Sequence, residues 1–169
     1  KNLKNSNNYF YTYYNEKYSY KDIYNYIKRI NYILKKFDHK KIAVFSDKSI
    51  AYYTSVLSII LSGRTWIQFS NSSTSKRINE IIKYSNIKIG IIDKNFRHKE
   101  VLERNKNLNL FYFDKIISSN KSLALETKKI KNNDTSCIFF TSGSTGKPKG
   151  VKISYLNLAE TTKYQIQNI

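Results

Sequence analysis

The sequence has no methionine, one cysteine (Cys137), one proline (Pro148), one tryptophan (Trp66), two histidines and five glycines in 169 residues. Each scarcity excludes something. A single cysteine cannot close an internal disulfide, and His39 and His98 do not join it in a cluster at zinc-ligand spacing. Each histidine lacks a carboxylate or a second histidine at such spacing and reads as a solvated loop side chain. The longest apolar stretch, Ile50–Leu61, is broken by Thr54, Ser55 and Ser58, and falls short of the roughly 20 residues a membrane span needs. Lys1–Asn5 is polar and unlike the opening of a signal peptide. No membrane span and a reducing, cytoplasmic setting are therefore expected. A chain without an initiator that opens on Lys1 and closes on Gln167-Asn168-Ile169 reads as an excerpt or a processed product.

Acidic residues are also few, 12 against 30 basic ones, for a formal charge of +18. Such an excess ordinarily points to nucleic acid or an anionic membrane. Here the cations are scattered. The densest groups, Lys128-Lys129 with Lys131 and Lys35-Lys36 with Lys40-Lys41, form neither a block of like charge nor an interleaved basic and aromatic stripe. The chain is crowded with Lys, Asn, Ile and Tyr, whose codons can be built almost wholly from A and T, and base composition accounts for the charge. No specific nucleic-acid partner is expected. With 40% hydrophobic residues, the length suffices for one domain with a real core.

Tyr9–Tyr20 reads as a pair of short strands or an extended arm. Ile23, Ile27, Ile30 and Leu34 recur at helical spacing and predict a helix over about Tyr20–Lys36. Ile42–Phe45 reads as a buried strand, Ser49–Ser62 as a buried helix stopped by Gly63, and Thr65–Phe69 as a second strand with Trp66 in the core. Helical spacing returns over Ser75–Ser85. Lys88–Ile92 and Leu108–Phe113 read as strands around a modest helix, Asn95–Arg104. Ser118–Asn133, polar and rich in lysine, reads as a flexible linker. Ser136–Phe140 predicts a fifth strand, with Cys137 buried and inert in it, and Ser154 caps a final helix. Strands alternating with helices predict an α/β fold, a mostly parallel sheet with helices on both faces. Ligands of such sheets sit beyond the carboxyl ends of the strands.

Three of the five glycines fall within eight positions, directly after that fifth strand. In Thr141-Ser142-Gly143-Ser144-Thr145-Gly146-Lys147-Pro148-Lys149-Gly150, the glycines Gly143, Gly146 and Gly150 permit unusual backbone angles and close approach of amide groups to an anion. Thr141, Ser142, Ser144 and Thr145 offer hydroxyls to phosphate oxygens, and Lys147 and Lys149 offer charge. The ordinary P-loop requires four residues before its Gly-Lys pair and a Ser or Thr after it; here two residues separate Gly143 from Gly146, and Pro148 follows Lys147.

The segment resembles the signature loop of the adenylate-forming superfamily, which includes acyl-CoA synthetases, the amino-acid adenylation domains of nonribosomal peptide synthetases, and luciferases. Weaker likenesses follow in the family's order: Tyr18–Ile23, Leu61–Phe69, Lys76-Arg77-Ile78 and Val151–Leu158. There are departures. No proline stands near Gln68, and Tyr155 precedes Leu156-Asn157 where the family often has His-x-Asn. Tyr155 reads either as shaping the substrate side or as packing at a helix start. Members of the family are also much longer.

The resemblance implies the N-terminal portion of the large domain of such an enzyme, residues 1–169 being a partial AMP-binding domain. The parts that bind adenine, ribose, magnesium and the carboxylate, and the C-terminal catalytic lysine, would lie outside it. It implies ATP with Mg2+ as cofactor. A small carboxylate, either an amino acid or a fatty or aryl acid, would be activated as an adenylate and passed to coenzyme A or a phosphopantetheinyl carrier protein. Thr141, Ser142, Gly143, Ser144, Thr145, Gly146 and Lys149 would bind the phosphates, with Lys149 acting in the transition state. The Phe-Thr-Ser-Gly-Ser-Thr-Gly spelling is closer to amino-acid-activating members and D-alanine–carrier protein ligases than to acyl-CoA synthetases. A reading of another class, a non-catalytic remnant that keeps the loop, stays open on the sequence.

Overall fold

The computed structural model describes residues 8–13, 16–125, 128–142 and 147–167, without the side chains of 9–13 and 142. Tyr9–Tyr13 (β1) and Glu16–Ser19 (β2) pair as a small antiparallel sheet, the first of the two forms expected for this arm. The main sheet has six strands. These are Lys41–Phe45 (β3), Thr65–Phe69 (β4), Ile89–Ile92 (β5), Asn109–Tyr112 (β6), Thr135–Ser142 (β7) and Pro148–Ser154 (β8), in the order β6-β5-β3-β4-β7-β8. All pairs are parallel except β7–β8. The expected α/β fold is thus present, with one strand the sequence reading did not contain. Pro148 and Gly150 both disfavour strands, and β8 accommodates them because it is an edge, with Pro148 as its first residue.

The helices are Tyr20–Leu34 (α1), Ile50–Leu61 (α2), Ser75–Ser85 (α3), Lys99–Glu103 (α4), Phe113–Ser118 (α5) and Tyr155–Gln167 (α6). Ser19 starts α1 through a reciprocal capping box: its hydroxyl accepts from the Asp22 amide at 3.2 Å, and its own amide donates to the Asp22 carboxylate at 2.9 Å. The predicted stripe Ile23, Ile27, Ile30 and Leu34 is buried. Helix α2 packs on α1 through small residues, and the buried Ser58 hydroxyl donates to Asn31 at 2.8 Å. Gly63 follows α2 with φ +67°, the left-handed turn that ends the helix.

One core lies under α1, α2 and α5, with Ile42, Val44, Trp66 and Cys137 from the sheet. The other lies under α3 and α4, with Phe45, Ile67, Phe69 and Ile138. Helices on both faces follow from the alternation of these strand residues. Residues 119–134 carry no regular element among those described, yet the segment is tied down. The Leu123 amide donates to the Lys28 carbonyl and the Lys128 amide to the Leu61 carbonyl, both at 3.3 Å. Arg64 closes the end of α1, donating to the carbonyls of Leu34 (3.0 Å), Phe37 (2.9 Å) and His39 (3.1 Å).

Candidate functional site

Because β7 runs parallel to β4, its carboxyl end lies at the same edge of the sheet as those of β3, β4 and β5. Thr141 and Ser142 form that end, and β8 returns from it as an antiparallel partner. The register sets Ser142 opposite Pro148, Thr141 opposite Lys149, Phe140 opposite Gly150 and Phe139 opposite Val151. Side chains alternate between faces along such a ladder. Phe140 packs into the core under α3, so Thr141 and Lys149 share the other face of the hairpin with Phe139 and Val151. Lys147 sits at an exposed bend just before β8, and Pro148 is buried. Gly143, Ser144, Thr145 and Gly146, with the side chain of Ser142, lie outside the described residues.

Gly150 was expected to provide a special backbone angle. Instead it lies within the ladder, and the reason for glycine there is close approach. A Cβ at this position would stand 3.0 Å from Ile138 Cγ2 and 3.1 Å from Phe140 Cε1. The missing side chain lets the Phe140 ring lie across the strand, where the ring of Tyr84 meets it edge-on at 6.3 Å.

Arg77 was noticed in the sequence only as part of a resembling stretch. In the fold it reaches this hairpin from α3, and its guanidinium donates to the Thr141 carbonyl at 2.6 Å. Its other terminal nitrogen stands 3.9 Å from the Glu80 carboxylate.

The neighbouring strand ends carry a polar network that the sequence did not signal. The Asp93 carboxylate after β5 accepts from the hydroxyls of Ser49 (3.0 Å) and Ser46 (3.3 Å). The Asp47 carboxylate accepts from the Asn71 amide at 3.0 Å and side chain at 2.8 Å, and Asn71 in turn accepts from the Arg97 amide at 2.7 Å. These bonds splice the segments after β3, β4 and β5 into one rim. Gln68, where the family often has proline nearby, pairs with Val44 inside the parallel ladder. Among the described residues, no three His, Cys, Asp or Glu side chains come together to hold a metal ion. Nor is any described helix long and apolar enough to cross a membrane.

Of the residues read as bystanders, Trp66 is 5% and Cys137 1% exposed, and burial pushes the Cys137 thiol up. His98 is less isolated than expected: it is half-buried, with Nδ1 2.9 Å from the Ser75 hydroxyl. Tyr155 has the packing role of the two considered. Its hydroxyl donates to the Arg64 carbonyl at 2.7 Å, at the amino end of β4 and so at the opposite edge of the sheet from the loop.

Burial raises the phenols of both Tyr155 and Tyr52 from 10.0 to about 12. The unfolded chain releases these protons near pH 10, before the folded chain does. Their contribution to stability is therefore full below about pH 10 and lost as pH climbs toward about 12. Urea unfolding followed across that window should show a falling midpoint, and a shallower fall in Tyr52→Phe. A flat profile would contradict the burial of both phenols.

The sheet order, its right-to-left reversal around β3, and helices on both faces place the chain in the α/β class. Its architecture is that of the N-terminal domain of adenylate-forming enzymes. The profile described as AMP-binding enzyme matches residues 2–168, so the chain belongs to that family. Syringomycin synthase SyrB1 of Pseudomonas syringae pv. syringae is 29% identical over 121 residues, covering 70% of this chain and 19% of that protein. The D-alanine–D-alanyl carrier protein ligase of Streptococcus pneumoniae is 27% identical over 125 residues, 74% of this chain and 24% of the ligase. The chain thus spans less than a quarter of the length of these relatives. Among solved structures, the nonribosomal peptide synthetase FmoA3 bound to α-methyl-L-serine-AMP aligns with a TM-score of 0.76 at 18% identity, over 89% of this chain and 16% of that one. The o-succinylbenzoate CoA synthetase of Bacillus subtilis, in complex with its acyl-adenylate, aligns at 0.76 and 17% identity, over 93% of this chain and 41% of that one.

Proposed function

We propose that the β7–β8 hairpin carries the polyphosphate-binding loop of an adenylation site, and that the protein activates an amino acid. The observation that carries this reading is the placement of Thr141 and Lys149 side by side, at the mouth of a hairpin lying beyond the carboxyl ends of the parallel strands. Membership in the AMP-binding family supports it. So do the curated relatives, which include a D-alanyl carrier protein ligase and nonribosomal peptide synthetases.

In this reaction a carboxylate oxygen attacks the α-phosphorus of ATP. The bond to the bridging oxygen of the β-phosphate breaks, and pyrophosphate leaves with the charge. A thiol then attacks the acyl carbon of the adenylate, giving a thioester and AMP. Residues of this chain act in the first step. On this reading the Thr141 hydroxyl donates to a phosphate oxygen and the Lys149 ammonium neutralises charge gathering on the leaving pyrophosphate. Neither is a nucleophile or a base. Magnesium bound with ATP would share that neutralisation, and the thiol belongs to coenzyme A or a carrier protein.

Exchange of labelled pyrophosphate into ATP, assayed on the protein expressed from the complete reading frame against panels of amino, fatty and aryl acids, tests the reading. Exchange that depends on an amino acid is expected. Exchange only with a fatty or aryl acid would transfer the reading to acyl activation. No exchange with any acid, from a folded protein, would leave a non-catalytic remnant.

A further inference from the structure

We propose that Arg77 is a positioning residue for the phosphate-binding loop, a role that rests on the reading of that loop given above. The hairpin is thin on bonds where it opens. Its last pair is Ser142 with Pro148, and a proline has no N–H to give to the final rung. Immediately inside it, the Thr141 carbonyl receives the Arg77 guanidinium at 2.6 Å from an element 64 residues away in sequence.

Helix α3 is a firm platform for that donor. The Thr74 side chain caps it by accepting from the Arg77 amide at 3.2 Å. Ile78, Ile81 and Ile82 anchor it in the core, and Tyr84 braces Phe140 one residue before Thr141. The helix therefore touches β7 at two consecutive residues, through a ring and through a charge. A guanidinium holds its donors in a fixed plane, so the tie has a defined direction.

The arrangement is two-sided. Lys149 projects from one face of the hairpin, whereas Arg77 arrives from the helix on the other. Arg77 thereby holds the strand end from the α3 side, while Lys149 presents its charge on the opposite face. Holding the strand end in place before the ligand arrives removes part of the ordering cost that a loop otherwise incurs on binding an anion. Glu80 stands 3.9 Å from the second guanidinium nitrogen, on the same helix.

The test uses Arg77→Ala, Arg77→Lys and Thr74→Ala in the protein expressed from the complete reading frame, with two readouts. The first is amide hydrogen exchange over residues 137–142 and 148–153, with 41–45 as internal reference. The second is affinity for inorganic tripolyphosphate by calorimetry. Loss of a charge-assisted bond should speed exchange at the hairpin mouth and weaken tripolyphosphate by roughly tenfold or more in Arg77→Ala, with 41–45 unchanged. Arg77→Lys, which keeps the charge and one donor, should restore most of both. Thr74→Ala removes the cap but leaves the guanidinium and the Ile78, Ile81 and Ile82 anchors, so its effects on the hairpin should be clearly smaller than those of Arg77→Ala. Unchanged exchange at the hairpin in Arg77→Ala, or the same losses in Thr74→Ala, would overturn the proposal. If wild-type protein takes up no tripolyphosphate while Arg77→Ala still loosens the hairpin, the phosphate reading of the loop fails and the hold of Arg77 on Thr141 stands.

Discussion

Lys149→Ala should slow pyrophosphate exchange by about 10- to 150-fold at saturating ATP, the equivalent of losing one charge-assisted hydrogen bond of roughly 1.5–3 kcal/mol made in the transition state. Lys147→Ala should cost less than about 1 kcal/mol. The two lysines are two residues apart, and the fold separates their roles. Lys149 is inside β8, its backbone fixed by the ladder opposite Thr141 and flanked by the buried Pro148 and by Gly150 under the Phe140 ring. Its side chain is exposed, and the ladder fixes the Cα from which the ammonium reaches the loop's mouth. Lys147 precedes the strand at an exposed bend, where water screens its charge and its side chain has many rotamers to lose on contact. Both variants should melt within a few degrees of wild type, because neither lysine is buried. Equal losses, or a larger loss at Lys147, would reverse the assignment.

Gly90→Val should destabilise the fold severely. Gly90 lies within β5, paired with Ala43 on one side and Leu110 on the other. A Cβ placed on it would stand 2.5 Å from Phe45 Cε2 and 3.2 Å from Leu110 Cδ2. The Phe45 ring has no room to retreat: it is fully buried, stacked on Phe69 at 4.8 Å and tilted against Phe96 at 5.6 Å. Overpacking a site of this kind costs about 1–3 kcal/mol for small additions. Gly90→Ala should therefore lose about 1–3 kcal/mol, less the few tenths to 1 kcal/mol gained by restricting the unfolded chain. Gly90→Val, with two further methyl groups, should lose about 3 kcal/mol or more. Urea denaturation of both variants measures this. A neutral Gly90→Ala would show that the aromatic cluster yields. Recovery of stability when Phe45→Leu is added to Gly90→Ala would locate the clash in that ring.

Much of this was readable from residues alone, for identifiable reasons. The α1 stripe announced itself because four aliphatic residues recur at helical spacing, and the short buried strands because β-branched and aromatic residues are bounded by turns. The loop stood out because glycine is rare elsewhere in the chain. What escaped was of two kinds. Strand β8 escaped because Pro148 and Gly150 are individually poor strand residues; their presence depends on an edge position and on the Phe140 ring, neither of which is local information. Arg77 and the Asp47–Asn71–Arg97 bonds escaped because each joins segments remote in sequence, and a lone arginine or asparagine carries no mark of its partner. The chemistry of the loop's four central residues, Gly143–Gly146, rests on the sequence itself.

The antiparallel return of β8 also bears on the order in which the chain can assemble. Pairing β7 with β8 closes only the few residues between Ser142 and Pro148, whereas pairing β7 with β4 joins Cys137 to Trp66 across the β5–β6 half of the sheet. On loop-closure entropy alone the hairpin is cheaper by about 2 kcal/mol. Local contacts of this kind also form fastest. The last two strands are therefore the cheaper pair to close, but two strands alone are only marginally stable in water, so the hairpin gains its permanence from the parallel sheet that carries it.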